Sequence, residues 1–170
     1  MFQKILVAVD NNTEKTEIDR HVFDEAVSLA KAMNAHLMLL HVFYPFDDEF
    51  FNPLVVEPHI VHPTLYTETS NQYIKRLEEC KQEGVDLLTS LREQAITAGV
   101  TAEFTLKAGD AGRMICEVAR NWEADLIVVG RRGYRGFSEF LLGSVSNYVL
   151  HHAPCSVLTV QGAIHASAAS

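Results

Sequence analysis

The amino-acid sequence predicts one α/β domain, built on an open parallel sheet of five strands in the order 3-2-1-4-5 with helices on both faces. Its 170 residues, of which 48% are hydrophobic, are enough to close one core and fall within the usual size of a single domain. Five short apolar runs alternate with segments that repeat apolar residues at helical spacing. Because each crossover between parallel strands needs a connection of about a dozen or more residues, this alternation favours a parallel sheet.

The first half of the chain predicts two strands and two helices. Residues 5–9 form an apolar run, much shorter than the roughly 20 residues that span a bilayer, and are typical of a first strand. Residues 18–33 place apolar side chains three or four positions apart, which predicts a helix. A second apolar run at 36–43 predicts strand 2. Residues 73–98 carry a long stripe at helical spacing, and Gly99 can end that helix in the left-handed conformation.

The second half predicts three further strands and the remaining helices. Residues 101–107 are expected to form strand 3, and Asp110 then offers an N-cap for a helix. Residues 125–130 give the strongest buried-strand pattern of the chain, and 156–160 give the fifth strand. The chain therefore repeats a strand followed by a helix until its last strand.

Two segments do not follow this alternation. Residues 44–69 contain four of the five prolines and leave the C-terminal end of strand 2, the edge where open α/β sheets bind ligands. They are either a lid over a ligand or a variable insertion without a ligand role. Within them, His59 and His62 suggest a metal site, but the flanking prolines argue against a shared helical face and we expect no metal there. Residues 162–170 lack a packing pattern and are expected to form a mobile tail after the domain at 1–161.

Charge and cysteine content limit the partners and the compartment. The chain has 14 basic and 22 acidic residues, and its net charge of −8 opposes attraction to nucleic acid or to an anionic membrane. Neither is an expected partner. Cys80, Cys116 and Cys155 are odd in number and far apart, so they suggest neither a disulfide framework nor a zinc site. Reduced thiols favour a cytoplasmic location.

A glycine-rich segment at residues 130–146 follows strand 4 and enters a helix. Its skeleton, G-x2-G-x9-G-S, is formed by Gly130, Gly133 and Gly143 followed by Ser144. Glycine lets the backbone approach a ligand closely, and the exposed N–H groups at a helix N-terminus bind anions. The segment therefore predicts a phosphate site. In the alternative interpretation, the first two glycines only turn the chain and Ser144 only caps the helix.

Polar side chains around this segment fit a nucleotide. Ser144 and Ser146 would add hydroxyl donors at the first helical turn, while Arg131 and two further arginines concentrate positive charge. Asp10, at the end of strand 1, can accept hydrogen bonds from ribose hydroxyls or hold a hydrated metal, although a turn or N-cap aspartate would look the same. In the order 3-2-1-4-5, Asp10 and Gly130 flank the crevice where chain direction reverses.

Four stretches resemble the universal stress proteins, namely residues 5–10, 40–42, 130–146 and 154–158. The resemblance extends over nearly the whole chain, residues 2–161. It implies a Rossmann-like fold and the ATP-binding branch of that family, because the sequence matches the G-x2-G-x9-G-[ST] pattern without a gap. The cofactor implied is ATP, either alone or with Mg²⁺.

The resemblance also implies roles for individual residues. Asp10 would contact the ribose, and the backbone of Val42 would meet the adenine edge. The remaining adenosine contacts implied are Ala8, Val9, Val129 and Gly130, and the phosphate contacts implied are Gly133, Gly143, Ser144, Val145 and Ser146. Ligand-binding members of the family often have proline where Ala8 stands.

The expected function is that of an ATP-binding regulatory protein of the stress response, in which nucleotide occupancy changes shape or partner choice. A slow ATP hydrolase, or a sensor of another adenine nucleotide such as AMP or cyclic AMP, would share the same pocket. The sequence has no G-x-x-x-x-G-K-[ST] and no convincing base, so we expect slow hydrolysis at most. We also expect a homodimer through residues 155–160, because strand 5 is an apolar edge and the family that the chain resembles commonly dimerises there.

Overall fold

The computed structural model describes residues 1–11, 17–44, 63–131 and 142–161, with only the backbone described at 17–18 and 63–69. Its parallel five-stranded sheet has the order β3-β2-β1-β4-β5, which confirms the predicted architecture. The elements in chain order are β1 (Lys4–Val9), α1 (Glu17–Met33), β2 (His36–Phe43), α2 (Pro63–Thr97), β3 (Ala102–Ala108), α3 (Ala111–Trp122), β4 (Leu126–Arg131), α4 (Ser144–His152) and β5 (Ser156–Gln161).

Successive strand residues point to opposite faces of the sheet, and helices cover both faces, so the sheet is buried on two sides. On one face, Ile5 and Val7 of β1 pack in the cluster that holds the buried side chains of α1 and α2. On the other face, Leu6 packs in the cluster that includes Ile115 of α3 and Val149 of α4. Continuous apolar runs such as residues 5–9 are therefore required by burial on two sides.

Strands β1 and β4 separate before either strand ends. Their pairing stops at Val7 opposite Val128, although β1 continues its pairing with β2 as far as Val9 opposite His41. Strand β4 likewise remains paired with β5 beyond this point. The sheet thus opens a crevice at its C-terminal edge, between the two strands whose connections lead in opposite directions.

At the N-terminal ends of the strands, Asp125 holds β1 beside β4. Its carboxylate oxygen Oδ2 accepts hydrogen bonds from the backbone N–H groups of Gln3 and Lys4, each at 2.9 Å. These two bonds hold the pKa of Asp125 below its usual range. The strands are thereby joined at their beginnings and separate only near their ends.

Helix α2 begins ten residues earlier than the sequence pattern predicts. Pro63 is its first residue, so residues 63–69 are helical and do not belong to an irregular connection. Proline suits this position because the first helical N–H has no intrahelical acceptor. Residues 45–62, which hold the rest of the insertion, and the tail at 162–170 lie outside the described residues. No helix in the described part of the chain is long and apolar enough to cross a membrane, α2 included.

Candidate functional site

A cavity of about 570 Å³ lies at the crevice between β1 and β4. Leu40 and Val129, which line it, belong to the core on the α3 and α4 side of the sheet. Val9 and Val22, which also line it, belong to the core on the α1 and α2 side. The cavity therefore extends across the sheet edge, and its volume is typical of a small-molecule site.

Most of the residues predicted to bind nucleotide line this cavity. They are Ala8, Val9, Asp10, Val42, Val129, Gly130, Gly143, Ser144, Val145 and Ser146. Gly133 lies outside the described residues. Arg131 is described but is not among the lining residues, and its Nη1 donates to Gln161 Oε1 of β5 at 3.5 Å.

The N-terminus of α4 opens into the cavity without a side-chain cap. Gly143 is its N-cap residue and, as a glycine, makes no side-chain capping hydrogen bond. The N–H of Asn147 donates to the Gly143 carbonyl at 2.9 Å and is the first intrahelical bond. The N–H groups of Ser144, Val145 and Ser146 precede that bond, so the α-helical ladder leaves them without an acceptor. They are suited to an anion.

The hydroxyl of Ser146 has a different role from the predicted one. It donates to the carbonyl of Gly143 at 3.0 Å, and the side chain is buried. The expectation of a free hydroxyl donor at Ser146 is therefore corrected, because that proton is used to brace the helix start. Ser146 can still offer its backbone N–H, whereas Ser144 is exposed at the cavity.

A second helix N-terminus meets the same cavity but is already capped. Ala111, the first residue of α3, lines the cavity. The carboxylate of Asp110 accepts a hydrogen bond from the N–H of Arg113 at 2.9 Å, as the sequence predicted. A carboxylate at this end compensates the helix dipole and would repel a further anion. The arrangement thus favours α4 over α3 as the place for a phosphate.

Gly130 is needed for close packing and not for a turn. A Cβ at Gly130 would lie 3.0 Å from Cγ2 of Val22, closer than ordinary van der Waals contact. Within the described ranges, glycines with positive φ occur at Gly99 and Gly109, and Gly130 is not among them. The missing side chain therefore lets α1 pack closely against the end of β4.

His41 lies at the end of β2, beside the cavity. Its Nδ1 lies 3.0 Å from the carbonyl oxygen of Val9, and its side chain is buried. Burial lowers the pKa of His41, and the bond to Val9 opposes this in part. The ring is therefore neutral at pH 7, with Nδ1–H as the donor. This bond joins β2 to the residue that precedes Asp10.

Six of the lining residues are not among the predicted ligands: Asp19, Val22, Leu40, Ala111, Ile115 and Leu142. Val22 and Ile115 were recognisable from the sequence as buried helix residues, but their exposure to a cavity depends on how the helices pack. Nothing in the sequence distinguished Asp19 from the other acidic residues of α1. Among the described residues, no group of three or more His, Cys, Asp or Glu could hold a metal ion. His59 and His62 lie outside the described residues.

Comparison with known proteins identifies the family. The model of the universal stress protein family matches residues 1–161. A universal stress protein of Synechocystis is 38% identical over 164 residues, covering 94% of this chain and 98% of that protein. An Arabidopsis thaliana family protein with AMP bound is similar with a TM-score of 0.61 and 22% identity, covering 99% of this chain and 97% of that chain. A universal stress protein in complex with cAMP has a TM-score of 0.62 at 23% identity, with 95% and 98% covered. These two structures support the fold, and the sequence match settles the relationship: the chain belongs to the universal stress protein family.

Proposed function

We propose that this universal stress protein binds ATP in the crevice between β1 and β4, and that nucleotide occupancy regulates its stress-response role. The observation that carries the proposal is the uncapped N-terminus of α4, which opens into the same cavity as the carboxylate-bearing residue Asp10. An anion-binding end and a hydrogen-bond acceptor for sugar hydroxyls are the two polar features that a nucleotide requires.

The lining of the cavity is suited to adenosine at one end and phosphate at the other. Ala8, Leu40 and Val129 provide aliphatic surface for a flat base, and the backbone of Val42 can pair with its edge. Asp10 would hold the ribose. The N–H groups at the start of α4 would hold phosphate oxygens, with the hydroxyl of Ser144 as a further donor.

A sensor of AMP or cyclic AMP is the second candidate function. Two proteins of similar fold are described with these ligands, one with AMP bound and one in complex with cAMP. Mass spectrometry of the protein purified under non-denaturing conditions would show which nucleotide it retains. Calorimetry with ATP, AMP and cyclic AMP would then rank them, and weaker binding of ATP than of both others would favour the second candidate. We expect slow ATP hydrolysis at most.

Replacement of Gly143 by valine tests the phosphate assignment. Gly143 has φ −58° and ψ 156°, a conformation that valine adopts without strain, so the variant should fold. The added side chain would stand where the phosphate approaches the backbone, and we expect ATP binding to be lost in calorimetry. Asn147→Val is the control, since it puts the same side chain on an exposed position of α4. Unchanged ATP affinity in a folded Gly143→Val protein would refute the assignment.

We further propose that two copies associate through β5 in the cytoplasm. Strand β5 is an edge of the sheet, and Leu158 on it is 39% exposed. An apolar edge strand can complete its hydrogen bonding by pairing with a second copy. The cysteines Cys80, Cys116 and Cys155 are free thiols, which fits a reducing compartment.

A further inference from the structure

The imidazole of His41 is a buried polar group that the proposed contacts with a nucleotide do not use. The residue is 4% exposed, and its Nδ1 lies 3.0 Å from the carbonyl oxygen of Val9. The other ring nitrogen, Nε2, is buried without a hydrogen-bond partner in the part of the chain that the structure describes. An aliphatic side chain would fill the same space without leaving a buried nitrogen unpaired, which costs free energy. What histidine contributes here beyond packing is therefore the hydrogen bond to Val9.

This hydrogen bond is made where β1 leaves the sheet. Val9 lies opposite His41 at the last pair of residues that joins β1 to β2, whereas the pairing of β1 with β4 has already ended at Val7. The end of β1 is therefore paired on one side only. The imidazole adds a side-chain hydrogen bond to the main chain at this point, from the strand that still accompanies β1.

The carbonyl of Val9 and the N–H of Asp10 belong to the same peptide group. Because that group is planar, a hydrogen bond that fixes the direction of the carbonyl also fixes the N–H and the Cα of the next residue. A donor on β2 thus holds the backbone that carries the Asp10 side chain. Val9 and Asp10 both line the cavity, while His41 is not among the residues described in its lining. His41 can therefore act on a ligand only through these neighbours.

Helix α2 holds the imidazole against β1. A Cβ at Gly84 of α2 would lie 3.1 Å from Cδ2 of His41 and 2.8 Å from Cδ1 of Leu106, so the helix approaches the ring closely. Within the ring, Cδ2 and Nδ1 lie on opposite sides of Cγ. The contact with α2 and the hydrogen bond to Val9 therefore hold the imidazole from two sides.

We propose that His41 is a positioning residue for the ribose contact of Asp10, because its Nδ1–H orients the peptide group that joins Val9 to Asp10. This inference rests on the proposed nucleotide function of the same cavity. Loss of the hydrogen bond should weaken binding of ligands whose ribose hydroxyls reach Asp10, and should hardly affect ligands that lack these hydroxyls. A purely structural role for His41 predicts lower stability without this dependence on the ribose.

Calorimetry on the full chain with ATP and with dideoxy-ATP, which lacks both ribose hydroxyls, separates these roles. His41→Leu removes the donor and keeps an apolar side chain in the core. We expect this variant to bind ATP about three- to tenfold more weakly than wild type, as for the loss of one hydrogen bond, and the affinity for dideoxy-ATP to change less than about twofold. His41→Asn should regain most of the ATP affinity, because its side-chain amide places an N–H where Nδ1–H lies in wild type.

His36→Leu is the matched control. His36 lies at the start of β2, partly exposed, and its Nε2 is 3.6 Å from Oε1 of Glu103. The same substitution is thus made in the same strand, at the end remote from the cavity. This variant should keep the wild-type affinities for both nucleotides.

Nitrogen-15 NMR of the histidine rings tests the same inference in wild type, whether or not a variant folds. The ring of His41, identified by its proton contact with Gly84, should carry its proton on Nδ1, and this signal should shift on addition of ATP but not of dideoxy-ATP. An Nδ1 signal that ATP does not change, or equal losses of affinity for the two nucleotides in His41→Leu, would overturn the inference alone. Failure of the wild type to bind any adenine nucleotide would overturn the proposed function and this inference together.

Discussion

Helix α4, which supplies the proposed phosphate site, is positioned by its close contact with Gly112 of α3. A Cβ at Gly112 would lie 2.8 Å from Cδ1, 2.9 Å from Cγ and 3.1 Å from Cβ of Tyr148. The last two atoms are at the base of the side chain, so rotation of the ring cannot relieve the overlap. We therefore expect Gly112→Ala to force α4 away from α3, and to move Ser144 at the cavity with it.

The energetic consequence combines two opposing effects. Overpacking a tight contact costs about 1–3 kcal/mol. Alanine in place of glycine within a helix contributes about 1 kcal/mol of stabilisation. Gly112→Ala should therefore lower the free energy of unfolding by up to about 2 kcal/mol. When Tyr148 is first changed to alanine, the overlap disappears, and the same substitution should raise the free energy of unfolding by about 1 kcal/mol.

Urea unfolding of wild type, Gly112→Ala, Tyr148→Ala and the double variant measures this reversal of sign. The four proteins form a cycle in which the packing lost with the Tyr148 ring cancels. The coupling between the two sites should be about 1–3 kcal/mol, the cost of the overlap alone. Equal stabilisation by Gly112→Ala in both backgrounds would show that α3 and α4 are not in close contact, and would remove the basis for the position of α4.

Two further predictions concern pH and assembly. Because burial lowers the pKa of His41 from its usual 6.5, the unfolded chain is protonated there at a higher pH than the folded chain. The contribution of His41 to the free energy of unfolding is therefore complete above pH 6.5 and falls as the pH decreases. Urea unfolding at pH 7.5 and 5.5 should show that acidification lowers the free energy of unfolding less in His41→Phe than in wild type, by up to about 1.4 kcal/mol per pH unit, and an equal decrease in both proteins would contradict this. Leu158→Lys should convert the proposed dimer to monomer in light scattering at micromolar concentration, because each copy then places a charge on the apolar edge; a dimeric variant would exclude β5 as the interface.

The strands were predictable because two-sided burial requires runs of apolar residues, as at 5–9 and 126–129. The start of α2 was not. The apolar repeat from which the helix was predicted begins only at residue 73, and Pro63 was taken as evidence against a helix although it occupies the first helical position.

The candidate site was predictable where a backbone feature marks it and not where packing creates it. The glycine-rich segment and Asp10 have positions fixed by the ends of two strands, and the described members meet at one cavity. Arg131 was counted as a ligand from its charge alone, but the alternation of side chains along β4 separates it from Gly130 and directs its guanidinium to Gln161. Asp19 could not be predicted as a lining residue, because its position depends on how α1 packs against the sheet.

The cavity forms because β1 and β4 are bonded to each other at their N-terminal ends and separate near their C-terminal ends. Asp125 joins the starts of β1 and β4 through two main-chain hydrogen bonds, while the ladder between these strands ends at Val7 and Val128. At that point His41 takes the carbonyl of Val9 as its acceptor, so a side chain satisfies a backbone group near the end of the ladder. The other ring nitrogen, Nε2, is buried and has no hydrogen-bond partner among the described residues, so the bond to Val9 is the contact that fixes the ring there. The separation of β1 from β4 beyond Val7 leaves a cavity that both Asp10 and the start of α4 line.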